Sequence, residues 1–169
     1  MPPRIIGVAG WKNSGKTTLV ERLVAELSRR GHAVSTIKHA HHDADVDREG
    51  TDSFRHRSAG AREVLLATGR RWALMHELRG SDEPSLDDLL AHLSPCDFVI
   101  VEGYKGGSHP KIEVRRLAAR DRAPFASHAN VIAIAADHPV HDASVPVFEL
   151  DAIAAIADMV ESMPIPADL

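Results

Sequence analysis

Residues 10–17 read Gly10-Trp11-Lys12-Asn13-Ser14-Gly15-Lys16-Thr17 and satisfy the phosphate-loop pattern G-x-x-x-x-G-K-[ST] at every fixed position. The chemistry this implies is polyphosphate binding. Glycines let the backbone wrap closely around an anion, successive N–H groups point inward at it, and the helix that follows adds the positive end of its dipole. Lys16 then reaches the β- and γ-phosphates, and the Thr17 hydroxyl is a ligand for Mg²⁺. A chain of this length matches the pattern by accident in well under about 1% of cases. The spacing therefore carries the signal, not the composition.

One hydroxyl does not define an octahedral ion, so a second acid is needed. Glu102 is the candidate: it follows Phe98-Val99-Ile100-Val101, an apolar strand that would deliver a carboxylate to the sheet edge, whereas Asp97 sits at the wrong end. Asp43 lies in a polar loop after the second strand, where nucleotide switches place an acid that orients the attacking water; a solvated loop carboxylate is the alternative. Lys16, Asp43 and Glu102 form the candidate catalytic set. Lys12 either adds charge near the phosphates or points outward. Trp11 is larger than a bare loop needs and is a candidate contact for substrate or partner. Asp137 closes Ile134-Ala135-Ala136-Asp137 and keeps only the final residue of the N-K-x-D pattern by which guanine is gripped. His39, His41, His42 and Asp43 are metal-ligand types, but adjacent histidines in an extended loop point apart and no cysteine pair supports a zinc site. Surface histidines, or histidines handling a polyanion, fit the cluster better.

The elements that position these residues follow from hydrophobic spacing. Ile5-Ile6-Gly7-Val8-Ala9 reads as a buried parallel strand before the loop, and Leu19, Val20, Leu23, Val24 and Leu27 recur at helical spacing after it. That helix runs from about Lys16 to Arg30, stopped by Gly31, with cations in its last turn. Further strands are expected at 34–37, 97–102, 111–114, 131–135 and 145–148. The runs 63–67 and 71–75, joined by Thr68-Gly69-Arg70, read as a β-hairpin. A short helix is expected from Gly50 to Ala59. A second is expected from the Ser85 capping box to just before Pro95, with Leu86, Leu89, Leu90 and Leu93 on its inner face, and Asp151 is expected to cap a closing helix. The pattern predicts one α/β domain over residues 1–169: a P-loop NTPase-type three-layer sandwich with a mostly parallel sheet and an inserted β-hairpin.

Composition narrows the rest. A net charge of −4 with scattered basic residues leaves no electrostatic footprint for nucleic acid. No apolar run approaches the roughly 18 residues a membrane span requires, and the N-terminus lacks a signal-peptide core, so the expected location is cytoplasmic. The single cysteine, Cys96, precedes an apolar strand and reads as a buried thiol.

Several segments together resemble the MobB family of molybdopterin-guanine dinucleotide biosynthesis adapter proteins. They are Ile6 to Thr18, Thr36-Ile37-Lys38-His39, Gly50-Thr51-Asp52-Ser53 with Arg55 to Gly60, Val101-Glu102-Gly103-Tyr104-Lys105, and Pro110-Lys111-Ile112-Glu113-Val114. The phosphate loop is common to many families; Glu-Gly-aromatic-Lys followed by Pro-Lys-Ile-Glu-Val is far more restrictive. The resemblance implies a homodimer that binds GTP and Mg²⁺ and assists a molybdenum cofactor guanylyltransferase, with weak or absent hydrolysis of its own. It further implies that Gly10 to Thr18, Thr18 included, hold the nucleotide, that Thr17 and Glu102 serve Mg²⁺, and that Lys105 faces phosphate or molybdopterin. Two other classes share the phosphate loop. A nickel or zinc metallochaperone GTPase would use the histidine cluster, and a small-molecule P-loop kinase would use Arg115, Arg116, Arg120 and Arg122 as a lid.

Overall fold

The structure, a computed structural model, describes residues 2–40, 46–104, 106–119, 130–141 and 143–165. The elements in chain order are β1 (Arg4–Ala9), α1 (Lys16–Arg29), β2 (Val34–Lys38), α2 (Asp52–Ser58), β3 (Glu63–Ala67), β4 (Trp72–His76), α3 (Leu86–Leu90), β5 (Phe98–Glu102), β6 (Lys111–Arg115), β7 (Val131–Ala136), β8 (Val147–Glu149) and α4 (Ile153–Ser162). They fall into two compact units, Met1–His39 with Asp88–Leu169, and Ala40–Asp87.

The first unit holds a six-stranded sheet in the order β2-β5-β1-β6-β7-β8, every neighbouring pair parallel. Strands buried on both faces need continuous apolar runs, and β5 is buried along its whole length. The period of two sorts the side chains. Ile6, Val8, Phe98, Ile100, Ile112, Val114, Ala133 and Ala135 form one cluster with Leu19, Leu23 and Leu27 of α1 and with Ile156, Ala157 and Val160 of α4. The leucines of α1 stand four apart, so one stripe of the helix meets the sheet. Burying each contributes about 1.5–3 kcal/mol. Arg30, just past α1, ties the helices together: its guanidinium donates to Asp158 and Glu161, each at 2.6 Å, to Glu26 at 2.8 Å and to the Ala154 carbonyl at 3.1 Å. Arg29 and then Arg30 hold the Glu26 carboxyl down to about 2.

Alternation along β6 turns Lys111 and Glu113 to the opposite face. Lys111 is 1% exposed, and its ammonium donates to the carbonyls of Gly107 and of His109, the latter at 3.0 Å. Burial holds its pKa below the usual lysine value. The His109 ring lies against Gly7 of β1 and against Gly107: a Cβ on either glycine would stand 2.6 Å from a ring nitrogen. Only glycine allows that approach. Both ring nitrogens are buried without a hydrogen-bond partner. Burial, and then the charge of Lys111, push the imidazole down to about 4.

In the second unit Thr51 caps α2 through a 3.4 Å bond from the Phe54 N–H. Asp47 organises the segment before it, accepting from Thr51 Oγ1 at 3.0 Å, Ser53 Oγ at 2.9 Å and Arg57 Nε at 3.2 Å. β3 and β4 form the antiparallel hairpin, closed by a 2.9 Å bond from the Thr68 N–H to the Arg71 carbonyl.

The expected α/β architecture, parallel sheet and inserted hairpin are all present, with three local corrections. The helix expected from Ser85 to Pro95 is only five residues long and none of its residues is buried. Beyond Leu90 the backbone tightens into three-residue turns, His92 N–H to the Leu89 carbonyl at 3.2 Å and Leu93 N–H to the Leu90 carbonyl at 3.1 Å, because Pro95 disfavours helical geometry at Ser94. Asp151 does not cap α4: the cap position is Ala152, with no side-chain cap bond, and Asp151 pairs with Arg22 instead. Cys96 is half-buried rather than buried.

His109 makes stability depend on pH with a definite sign. The folded imidazole titrates near 4 against an ordinary value of 6.5, so the unfolded chain takes up the proton first as pH falls. The contribution is complete above about pH 6.5 and is lost progressively toward about pH 4. Urea unfolding of the wild type should therefore lose stability across that interval more steeply than His109→Gln, which shares every other titrating group. Parallel slopes would contradict a neutral buried ring.

Candidate functional site

In a parallel sheet, ligands gather at the C-terminal edge where the strand order reverses. β1 is that strand here, with β5 on one side and β6 on the other, and the phosphate loop leaves from its end. A Cβ at Gly10 would lie 2.5 Å from Ser14 Oγ and 2.7 Å from the Val114 carbonyl, so glycine lets the loop close against the end of β6. The Ser14 N–H bonds the Trp11 carbonyl at 3.1 Å. Asn13, at φ 64°, adopts the left-handed conformation its side chain tolerates. The Lys16 ammonium crosses the loop to the carbonyls of Gly10 at 3.0 Å and Trp11 at 2.7 Å. Trp11 is half-buried; Lys12, Asn13, Thr17 and Thr18 are exposed.

Two observations test whether the loop suits a phosphate. The cap of α1 is Gly15, with no side-chain cap bond and no acid in the first turn, so the helix's leading N–H groups are left to an anion. Ser14 Oγ is buried without a partner inside the same loop. Both fit an oxyanion.

Glu102 ends β5, the strand paired to β1, and its backbone is in register with Val8 and with Lys38. The Thr17 hydroxyl donates to Glu102 Oε1 at 2.9 Å, and Lys38 Nζ lies 3.8 Å from Oε2. A hydroxyl beside a carboxylate is a hard oxygen pair of the kind Mg²⁺ accepts while keeping waters and phosphate oxygens as its other ligands. The Glu102 carbonyl takes the His39 N–H at 2.8 Å, which locks the ends of β2 and β5 together.

On the other side of β1, Asp137 follows β7. Its Oδ1 accepts from the Leu117 N–H at 2.9 Å and lies 3.0 Å from His138 Nδ1, while Oδ2 is 3.7 Å from Arg116 Nε. Burial raises its pKa, but the His138 bond, the Leu117 N–H and the nearby charges of His138 and Arg116 outweigh that and leave the carboxyl below its ordinary range. A cleft of about 100 Å³ opens beside the loop, bounded by Gly15, Thr18, Leu19, Arg22, Arg116, Leu150 and Asp151.

Asp43, Lys105, His41, His42, Arg120 and Arg122 lie outside the described residues. Of the histidine cluster only His39 is described; its ring centroid sits 4.6 Å from that of Tyr104, and no group of three or more metal-ligating side chains occurs among the described residues. Of the proposed arginine lid, Arg115 is held by both oxygens of Glu113, at 2.9 and 2.8 Å, and Arg116 faces Asp137. No helix of the described residues is long and apolar enough to cross a membrane.

A family profile described as MobB, molybdopterin guanine dinucleotide synthesis protein B, matches residues 5–137. The chain belongs to this family. It is 38% identical to the molybdopterin-guanine dinucleotide biosynthesis adapter protein of Haemophilus influenzae over 94% of the chain and 88% of that relative. It is 36% identical to the protein of the same description from Escherichia coli, over 92% of the chain and 90% of the relative. The crystal structure of a MobB homologue from Bacillus stearothermophilus superposes with a TM-score of 0.72 at 31% identity, covering 94% of this chain and 99% of that one. The family's P-loop-like fold agrees with the site geometry.

The cleft was not foreseen from the sequence. Thr18 and Arg22 stand four apart on one face of α1, which is the signal that would have pointed to it, but Arg116, Leu150 and Asp151 come from the ends of β6 and β8 and meet only through the sheet order.

Proposed function

We propose that this MobB-family chain binds GTP with Mg²⁺ and acts as the adapter of a cytoplasmic guanylyltransferase that converts molybdenum-bearing molybdopterin into molybdopterin guanine dinucleotide. The observation that carries the reading is the contact of Thr17 with Glu102 at the head of the phosphate loop. The N–H groups of Gly10 to Thr18 cradle the phosphates, and Lys16 leaves its loop carbonyls to meet the β- and γ-oxygens. Thr17 would coordinate the metal directly, with Glu102 accepting from its water shell. Bound Mg²⁺ supplies charge that offsets the phosphate oxygens. Within this reading Lys105 contacts phosphate or pterin, and Asp43 orients water in whatever slow hydrolysis occurs. Of the lid residues the kinase alternative would use, Arg115 is paired with Glu113.

The reading includes a homodimer. Within the Ala40–Asp87 unit, Leu65, Trp72 and Leu74 share one face of the hairpin at 59%, 65% and 42% exposure. A ribbon of two strands among the described residues, with an apolar face, is marginal alone, and a second copy of the chain is the occupant that completes it. Light scattering should give a dimer for the wild type and a monomer for Leu65→Lys/Trp72→Lys. A wild type that stays monomeric at high concentration would contradict this.

The functional test is product formation by the guanylyltransferase from GTP and molybdenum-bearing molybdopterin, with this protein added, omitted or replaced by Lys16→Ala. Stimulation should require Lys16, while the variant's thermal midpoint stays within a few degrees of wild type. Equal stimulation by Lys16→Ala would detach the nucleotide site from the adapter role.

A further inference from the structure

The cleft beside the loop has a chemistry of its own. It shares Gly15 and Thr18 with the phosphate cradle, so a nucleotide whose phosphates occupy the loop can lay its base there. Its two walls differ. Arg116 brings Cδ and Nη1 to 3.9 Å from where a Cβ on Gly15 would stand, and Leu150 Cδ2 comes to 4.0 Å. A planar guanidinium and an aliphatic side chain lining one cleft both pack well against a flat heterocycle. At the rim the Arg22 guanidinium is paired directly with the Asp151 carboxylate, whose side chain is 83% exposed.

That pair offers N–H donors beside two carboxylate acceptors. Guanine presents the complement along its Watson–Crick edge, an acceptor at O6 beside donors at N1 and N2. Adenine presents only one donor there, N6, beside an acceptor at N1, so it cannot give the carboxylate the two adjacent N–H groups that guanine offers. Asp137, by contrast, does not line the cleft; its Oδ1 accepts from the Leu117 N–H, and its Oδ2 lies 3.7 Å from Arg116 Nε.

We propose that the cleft is the nucleoside pocket and that Asp151, with Arg22, selects guanine in it, while Asp137 is a positioning residue that aims Arg116. This rests on the nucleotide reading given above. Asp151 lies outside the core, so its replacement leaves the hydrophobic cluster intact.

Calorimetric titration of wild type, Asp151→Asn and Asp137→Asn with GTP, ATP and XTP, each with Mg²⁺, tests the assignment. Wild type should prefer GTP to both others. Asp151→Asn should lose about tenfold to a hundredfold in GTP affinity, the worth of one good bidentate base contact, and should gain affinity for XTP, because xanthine carries an oxygen where guanine carries the 2-amino group and asparagine supplies the matching N–H. Asp137→Asn should keep GTP ahead of XTP. An unchanged GTP-to-XTP ratio in Asp151→Asn, or an inversion in Asp137→Asn instead, would overturn the assignment while leaving nucleotide binding standing. A wild type that binds none of the three would overturn both.

Discussion

The structure turns on a 2.9 Å contact between residues 85 positions apart, the Thr17 hydroxyl and the Glu102 carboxylate. Neither residue is placed by its own neighbourhood. Thr17 stands in the first turn of α1 because the loop closes through Gly10 and Gly15, and Glu102 reaches the same edge because β5 pairs with β1 in the register Val8 to Glu102. The helix is pressed onto the sheet by Leu19, Leu23 and Leu27 against Phe98 and Ile100. Shift β5 by one residue and the carboxylate would point to the other face. The apolar core, continuous along β5, thus sets the position of the polar site.

The two sides of β1 divide the work. Toward β5 and β2, the oxygen pair of Thr17 and Glu102 has Lys38 at its margin. Toward β6 and β8, side chains from two strand ends build a cleft beside the same loop. The reversal of strand order at β1 is what lets one loop border both. The opposite face of the sheet is a separate matter, with His109 held neutral between two glycines and Lys111 satisfied by carbonyls.

What could be read in advance follows the range of the interaction. The loop, α1, the apolar strands and the hairpin depend on spacing within about ten residues, and the sequence states them to within a residue or two. Glu102 was legible because an acid directly after a buried strand must emerge at the sheet edge. Asp151 was misread as a helix cap because its partner, Arg22, is 129 positions away. The length of α3 was overestimated because the leucine periodicity continues past the point where Pro95 stops the helix. Asp137 keeps the last letter of a familiar pattern, and the Leu117 N–H, His138 and Arg116 beside its carboxylate are neighbours that the pattern does not mention.

In the proposed function Glu102 serves the metal rather than the fold or the phosphates directly. Nucleotide affinity of wild type and Glu102→Ala, measured in Mg²⁺ and again in EDTA, addresses it in one comparison. A much larger loss in Mg²⁺ than in EDTA is the predicted result. Equal losses under the two conditions would contradict it.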